Sequence, residues 1–337
     1  MTSHALSSHR LRAAVDDVLR RFLRDRRGAL VGAELLIDEI ERLLDSGGKR
    51  IRPAFCYWGY RTSAAGHVRE AVRASASLEL LHTFAIVHDD IMDSSEERRG
   101  VPTVHVLRGL NVALLVGDLA LVLADALFLG AGFPEDRMAL AFEWYSRMRQ
   151  QVIAGQYLDL ELSSDPFVTE DRARWVAVLK SGRYSIEHPL VIGACLAGAD
   201  DARVAGIRAF GAPLGEAFQL RDDLLGTFGD RSSTGKPVDS DIREGKRNVL
   251  YAKTVAALSG AERDFFVRRW GGGSSLEKTE IEHLRGLVES SGARAATERL
   301  LADLAADSLH ALDSLEMTPE VRTALAELAQ EATFRQT

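Results

Sequence analysis

The run from Val68 to Met92 contains no proline and carries Val72, Leu78, Leu81, Phe84, Ala85, Val87 and Ile91 at helical intervals. That periodicity predicts one long helix. Its C-terminal end, His88-Asp89-Asp90-Ile91-Met92-Asp93, carries three carboxylates. At about 3.6 residues per turn, Asp89 and Asp93 share a face, and Asp90 lies about 100° round from Asp89. A second apolar run, from Val204 to Leu225, ends in Gln219-Leu220-Arg221-Asp222-Asp223. Carboxylates set in apolar helices need a neutralising partner. Hard divalent cations such as Mg²⁺ meet that need, because they prefer carboxylate oxygens and are commonly shared with substrate phosphates. A single pair of this kind reads as a solvated helix end. Two pairs, with the basic residues described next, point to two helices presenting carboxylates across a cavity.

Lysine usage is the second signal. Of 42 basic residues, 36 are Arg and only 6 are Lys, so each lysine is a candidate for a specific role. Lys49 lies in Gly47-Gly48-Lys49-Arg50-Ile51-Arg52-Pro53, Lys180 in Lys180-Ser181-Gly182, Lys236 in Thr234-Gly235-Lys236-Pro237, and Lys246 in Asp241-Ile242-Arg243-Glu244-Gly245-Lys246-Arg247. Small neighbours let an ammonium group and backbone amides approach a phosphate closely. Arg98-Arg99-Gly100 follows the first aspartate cluster and adds guanidinium groups suited to bidentate phosphate contacts.

Composition narrows the class. The chain has 337 residues, 46% hydrophobic but only 7% aromatic, which suits packed aliphatic helices. Its formal net charge of −7 argues against nucleic acid as the main partner. Cys56 and Cys195 have no metal-site spacing and cannot build a disulfide framework. They are expected to be buried free thiols of a reducing cytosol. The first residues, polar and charged before any apolar core, do not read as a signal peptide. Leu110–Phe133 is apolar enough to span a bilayer but carries Asp118 and Asp125, and is read as a buried bundle helix rather than a membrane segment.

Helical patterns run over 8–25, 33–45, 54–65, 68–93, 111–131, 136–162, 168–197, 201–226, 247–258, 261–270, 276–291, 293–314 and 319–335, with no strand pattern. Pro53 reads as a break, and Pro189 and Pro213 as kinks within helices. The span 226–240 reads as a loop carrying Lys236 beside the second aspartate pair.

Taken together, these motifs resemble those of the trans-isoprenyl diphosphate synthases, the chain-elongating prenyltransferases, over about residues 40–255 and in family order. Gly47–Pro53 is similar to the family's GGKRxRP segment. Asp89–Asp93 with Arg98–His105 is similar to its first aspartate-rich motif and basic tail. Gly155-Gln156-Tyr157-Leu158-Asp159 is similar to its GQxxD motif, and Phe218–Asp223 to its second aspartate-rich motif. The resemblance implies a single all-α domain over 1–337, an antiparallel helix bundle around a deep central cavity, cytoplasmic and homodimeric. It implies two or three Mg²⁺ ions held by Asp89, Asp93 and Asp222, supported by Asp90 and Asp223. It implies that Arg98, Lys180 with Ser181, Lys236 and Lys246 bind an allylic diphosphate. Lys49, Arg52, His82 and Arg99 would bind isopentenyl diphosphate, and Gln156, Asp159 and Gln219 would line the cavity or order metal waters. One departure stands out: Gly226 occupies the position of the third aspartate of the second motif.

Phe84 lies five residues before Asp89, about 7.5 Å down the helix axis. A growing chain would meet its ring as a floor, while Ala85 leaves space beside it. In the family this pattern resembles short-chain synthases, geranylgeranyl diphosphate first and farnesyl diphosphate next. A class I terpene cyclase and a non-catalytic partner subunit are the rival readings. Retention of Lys49 and Arg52, and of Asp222-Asp223 with Lys236 and Lys246, disfavours both.

Overall fold

The computed structural model describes residues 6–64, 66–229 and 239–333. In chain order it comprises α1 (Ser8–Arg27), α2 (Glu34–Asp45), α3 (Ile51–Arg61), α4 (Val68–Met92), β1 (Glu97–Arg98), β2 (Val101–Pro102), α5 (Val104–Arg108) and α6 (Leu110–Leu129). There follow α7 (Glu135–Ser163), α8 (Glu170–Ala177), a π-helical segment (Val178–Glu187), α9 (His188–Leu196) and α10 (Asp201–Phe228). The remainder is α11 (Ser240–Glu244), α12 (Val249–Ala257), α13 (Gly260–Arg269), α14 (Lys278–Ser290), α15 (Ala293–Asp313) and α16 (Pro319–Thr333). Each helical run expected from periodicity coincides with a helix over most of its described residues, and the fold is all-α.

Four local features depart from expectation. Pro53 sits in the first turn of α3 rather than at a break, where its missing N–H has no partner to lose. The expected helix 168–197 is divided by the π-helical segment, where extra residues are accommodated per turn. The expected loop 226–240 is helical at both described ends, since Gly226–Phe228 complete α10 and Ser240 starts α11. A two-strand antiparallel hairpin pairs Glu97 with Pro102 and Arg98 with Val101. Its turn residues, Arg99 (φ 54°) and Gly100 (φ 76°), both take the left-handed conformation that two-residue hairpins favour.

Contacts divide the chain into two compact units. The first holds the described residues of Met1–Ser146, His188–Arg208 and Leu315–Leu325. Within it, α4 is buried along most of its length, from Ala71 to Asp90, and packs against α1, α2, α3, α6 and α9. α3 and α9 approach backbone to backbone. A Cβ on Gly59 would collide with the carbonyl of Leu190, and one on Gly193 with that of Cys56. Cys56 and Cys195 are buried free thiols, and burial pushes them up to about 12 and about 11. α6 is one helix long and apolar enough to cross a membrane, with 44% of that span buried. Its inner face packs on α4, and its outer face carries the exposed Asp118.

The second unit holds the described residues of Arg147–Glu187, Ala209–Ser314 and Ala326–Thr337. Its core joins Leu162, Val168, Leu220, Leu250, Tyr251, Phe266, Trp270 and Leu284. Side-chain caps set its helix starts: Thr169 accepts from the Arg172 amide at α8, and Asn248 accepts from the Tyr251 amide at α12. Such caps satisfy otherwise orphaned donors.

Candidate active site

In the first unit, α4 delivers its carboxylates as its periodicity predicts. Asp90 is buried, whereas Asp89 and Asp93 remain partly open. The hairpin turns Arg98 back over them. Its Nη2 lies 2.7 Å from Asp90 Oδ1 and 3.5 Å from Asp89 Oδ2, and its Nε donates to Asp90 at 2.8 and 3.0 Å. Asp90 is therefore a buried counter-ion, and the partly open pair is Asp89 and Asp93.

A group of cations lies behind them. Arg50 takes a left-handed conformation (φ 53°) at the start of α3. It reaches Asp16 at 2.8 Å and Glu79 at 2.9 Å, and its Nη2 donates to the Leu44 carbonyl at 2.7 Å. Arg99 Nη1 donates to the carbonyl of Gly47. A Cβ on Gly48 would stand 3.0 Å from Arg50 Nη1 and 3.3 Å from both terminal nitrogens of Arg99, so glycine there admits two guanidinium groups. Burial, then the charges of Arg52, Arg99, Arg98 and Arg50, hold the His82 imidazole well below its ordinary range. Burial first also lowers the Arg99 guanidinium, opposed by Glu79 and reinforced by Arg98, Arg50 and Arg52. Lys49 is exposed beside this group, and Arg52 is partly buried.

Phe84 is buried on α4, its ring 4.9 Å from that of His88 at 70°. His88 Nε2 lies 3.2 Å from the Leu114 carbonyl. A Cβ on Gly117 would collide with the His88 ring, so glycine on α6 makes room for the imidazole beneath Phe84. Ala85 is partly buried.

In the second unit, Asp159 binds both lysines. Lys180 Nζ lies 2.7 Å and Lys246 Nζ 3.7 Å from Asp159 Oδ2. The π-helical segment carries Lys180 and Ser181, and two glycines pin it. A Cβ on Gly155 would collide with the backbone of Lys180, and one on Gly182 would stand 2.8 Å from the backbone of Gly215. π-Turns are frequent at functional sites because they re-aim side chains within a helix. Gln156 and Asp222 are partly buried. Gln219 Nε2 donates to Asp223 Oδ1 at 2.7 Å. Asp223 is held well above the ordinary carboxylate range, by burial first and then by Asp241, with smaller contributions from Asp222 and Asp159. Its Oδ2 is buried with no hydrogen-bond partner among the described residues. Lys236 lies outside the described residues.

These carboxylates suit a divalent cation. Repulsion among Asp222, Asp223, Asp241 and Asp159 is what a hard cation relieves, and oxygen is its preferred donor. Among the described residues, no three His, Cys, Asp or Glu side chains already converge on a metal-binding point. Mg²⁺ tolerates that, since it usually keeps waters and shares itself with substrate phosphates. Two residues that bear on the site were not singled out from the sequence. Arg50 and Asp241 both fall inside quoted segments, but their neighbours Lys49 and Lys246 drew the attention.

Comparison with known proteins decides the family. A profile of the polyprenyl synthetase family matches residues 33–284. The chain belongs to the polyprenyl synthetase family. It is 40% identical over 247 residues to the geranylgeranyl diphosphate synthase of Sulfolobus acidocaldarius, covering 71% of this chain and 72% of that protein. It is 33% identical over 297 residues to a short chain isoprenyl diphosphate synthase of Methanothermobacter thermautotrophicus, covering 88% and 89%. The solved geranylgeranyl pyrophosphate synthase of Corynebacterium glutamicum, complexed with isoprenyl diphosphate and magnesium, superposes with a TM-score of 0.94 at 32% identity, over 98% of this chain and 100% of that one. As a family member this polyprenyl synthetase is a prenyl-transferring enzyme with the all-α isoprenoid synthase fold.

Proposed function

We propose that this enzyme condenses isopentenyl diphosphate with dimethylallyl, geranyl or farnesyl diphosphate, and that geranylgeranyl diphosphate is its main product. The guanidinium groups crowded around His82 carry this reading. Burial first, and then Arg52, Arg99, Arg98 and Arg50, depress the imidazole, and guanidinium groups concentrated in this way suit a polyanion. Arg50 is committed to Asp16 and Glu79. Lys49, Arg52, Arg99 and neutral His82 then receive isopentenyl diphosphate. On the allylic side, Lys180 and Lys246 exchange Asp159 for diphosphate oxygens, joined by Arg98, Ser181 and Lys236.

Asp89, Asp93 and Asp222 would hold two or three Mg²⁺ ions. When bound, these ions offset the charge that builds on the departing diphosphate. Asp90 keeps Arg98 in place, and Gln219 orients Asp223. Gln156 and Asp159 complete the lining. The allylic C–O bond breaks, the double bond of isopentenyl diphosphate attacks the allylic carbon, and the released diphosphate takes the lost proton. Apolar walls keep water from the cation. The whole chain acts as one cytoplasmic catalytic domain that pairs as a homodimer, and no nucleic acid takes part.

The test is a product assay with Mg²⁺, isopentenyl diphosphate and each allylic primer in turn, the products being dephosphorylated and sized by chromatography. A twenty-carbon alcohol is expected. A fifteen-carbon or longer alcohol would keep the reaction and overturn the chain length, and no elongation with any primer would overturn the function.

A further inference from the structure

We propose that Glu39, on α2, is a positioning residue for isopentenyl diphosphate: it anchors the root of the hairpin at 97–102 and so aims Arg99. This rests on reading Arg99 as a contact of that substrate.

The hairpin needs an anchor. It carries Arg98 and Arg99, but each strand has only two residues, and a two-stranded ribbon has little stability of its own. At its turn, Arg99 Nη1 donates to the Gly47 carbonyl in the connection between α2 and α3. Its root is held from α2. Arg42 Nη1 donates to the Pro102 carbonyl at 3.2 Å. Glu39 Oε2 accepts from Arg42 Nε at 2.7 Å, and its Oε1 accepts from Arg108 Nε, in α5, at 2.8 Å. One carboxylate thus ties α2 both to the returning strand and to the helix that follows it.

Glu39 is only 1% exposed. A buried carboxylate is costly unless paired, so its two guanidinium partners are held closely. Among the described residues, no other carboxylate pairs with Arg42 or Arg108. Arg42 is partly exposed and Arg108 exposed, so water can solvate both when the carboxylate is removed. The consequence is then a loosened hairpin rather than an unfolded chain. Arg98 keeps its own bonds to Asp90. Arg99 has no such tie at the aspartates, and its aim depends on how the hairpin sits against α2 and Gly47.

The test is steady-state kinetics of the full chain, each substrate being varied at saturation of the other, together with the thermal midpoint. Glu39→Gln is expected to raise KM for isopentenyl diphosphate about tenfold, the lower end of what one charge-assisted hydrogen bond contributes, with kcat and the allylic KM little changed. Loss of folded protein alone would lower kcat and leave KM as it was. Arg42→Lys, at a partly exposed position, keeps the charge but cannot reach Glu39 and Pro102 together, and is expected to show the same split. Adding Glu39→Gln to Arg42→Lys is expected to raise KM little further, because the two act as one unit. An unchanged isopentenyl diphosphate KM in either single variant, an equal rise for both substrates, or fully additive effects would overturn the proposal. Arg99→Gln separates the two levels. A raised KM there, with none in Glu39→Gln, overturns the role of Glu39 alone. An unchanged KM in Arg99→Gln removes the reading of Arg99 and the proposal with it.

Discussion

His82 shows how a residue is set by its neighbours. It lies partly exposed on α4, where desolvation and then the charges of Arg52, Arg99, Arg98 and Arg50 act on it, so it resists the proton that an unfolded chain accepts near 6.5. A histidine with a lowered folded value stabilises the fold above its unfolded value, and that contribution is lost as pH falls below 6.5. The loss amounts to at most about 1.4 kcal/mol per pH unit. Denaturant unfolding at pH 7.5 and 5.5 is expected to show a smaller acid penalty in His82→Gln than in the wild type. An equal penalty in both proteins would mean that His82 titrates normally. The sequence marked His82 only through family resemblance, because four arginines from two other segments meet there only in the folded chain. Asp89 and Asp93 were legible directly, since helical spacing alone puts them on one face. Asp159 was expected to line the cavity, and in the structure it is the counter-ion of both Lys180 and Lys246. That pairing joins α7, the π-helical segment and the turn before α12.

Helices of this chain carry their function at their ends and at their glycines. α4 was readable from its apolar period, and Phe84 lies on it one turn before His88, buried and in ring contact with it. If a growing chain runs down α4 from Asp89, as the proposed function has it, removing that ring would lengthen its path. Phe84→Ala is expected to shift products toward chains longer than twenty carbons, seen by chromatography of the dephosphorylated alcohols. An unchanged distribution would show that another side chain forms the floor. Cavity formation at a buried Phe also costs about 3–5 kcal/mol, so the variant should be assayed well below its melting point. The π-helical segment was not readable. Its residues have an ordinary helical pattern, and the extra residue per turn is imposed by the close approach of Gly155 to Lys180 and of Gly182 to Gly215. The hairpin at 97–102 was missed for the opposite reason. It is two residues per strand, too short for any alternation to register.

At the scale of the whole molecule, α6 presents an apolar face. Leu115 (54%), Val122 (62%) and Leu129 (52%) are exposed at intervals of seven residues, a line along one side of the helix. Val106, Leu107 and Leu110 extend the exposed apolar surface toward α5. Patches of this kind mark interfaces, and a second copy of the chain is the partner the family resemblance implies. Leu115→Asp with Val122→Asp is expected to convert a dimer to a monomer by light scattering after size exclusion. A wild-type chain that is already monomeric would overturn the homodimer.

The sequence by itself determined which segments are helical and that carboxylates end two apolar helices. It also marked lysines and arginines in family order beside them. The helices and their terminal carboxylates follow from local periodicity, which acts over a few residues, and the order of the basic motifs from the family resemblance. Only the tertiary structure decided which carboxylate is a counter-ion and which stays open, as with Asp90 against Asp89 and Asp93. It alone placed Arg50 between Asp16 and Glu79, and put the carboxylate of Asp241 into the space left at Gly226. Charge pairing and volume exclusion act through space between residues far apart in the chain, and no spacing rule records them.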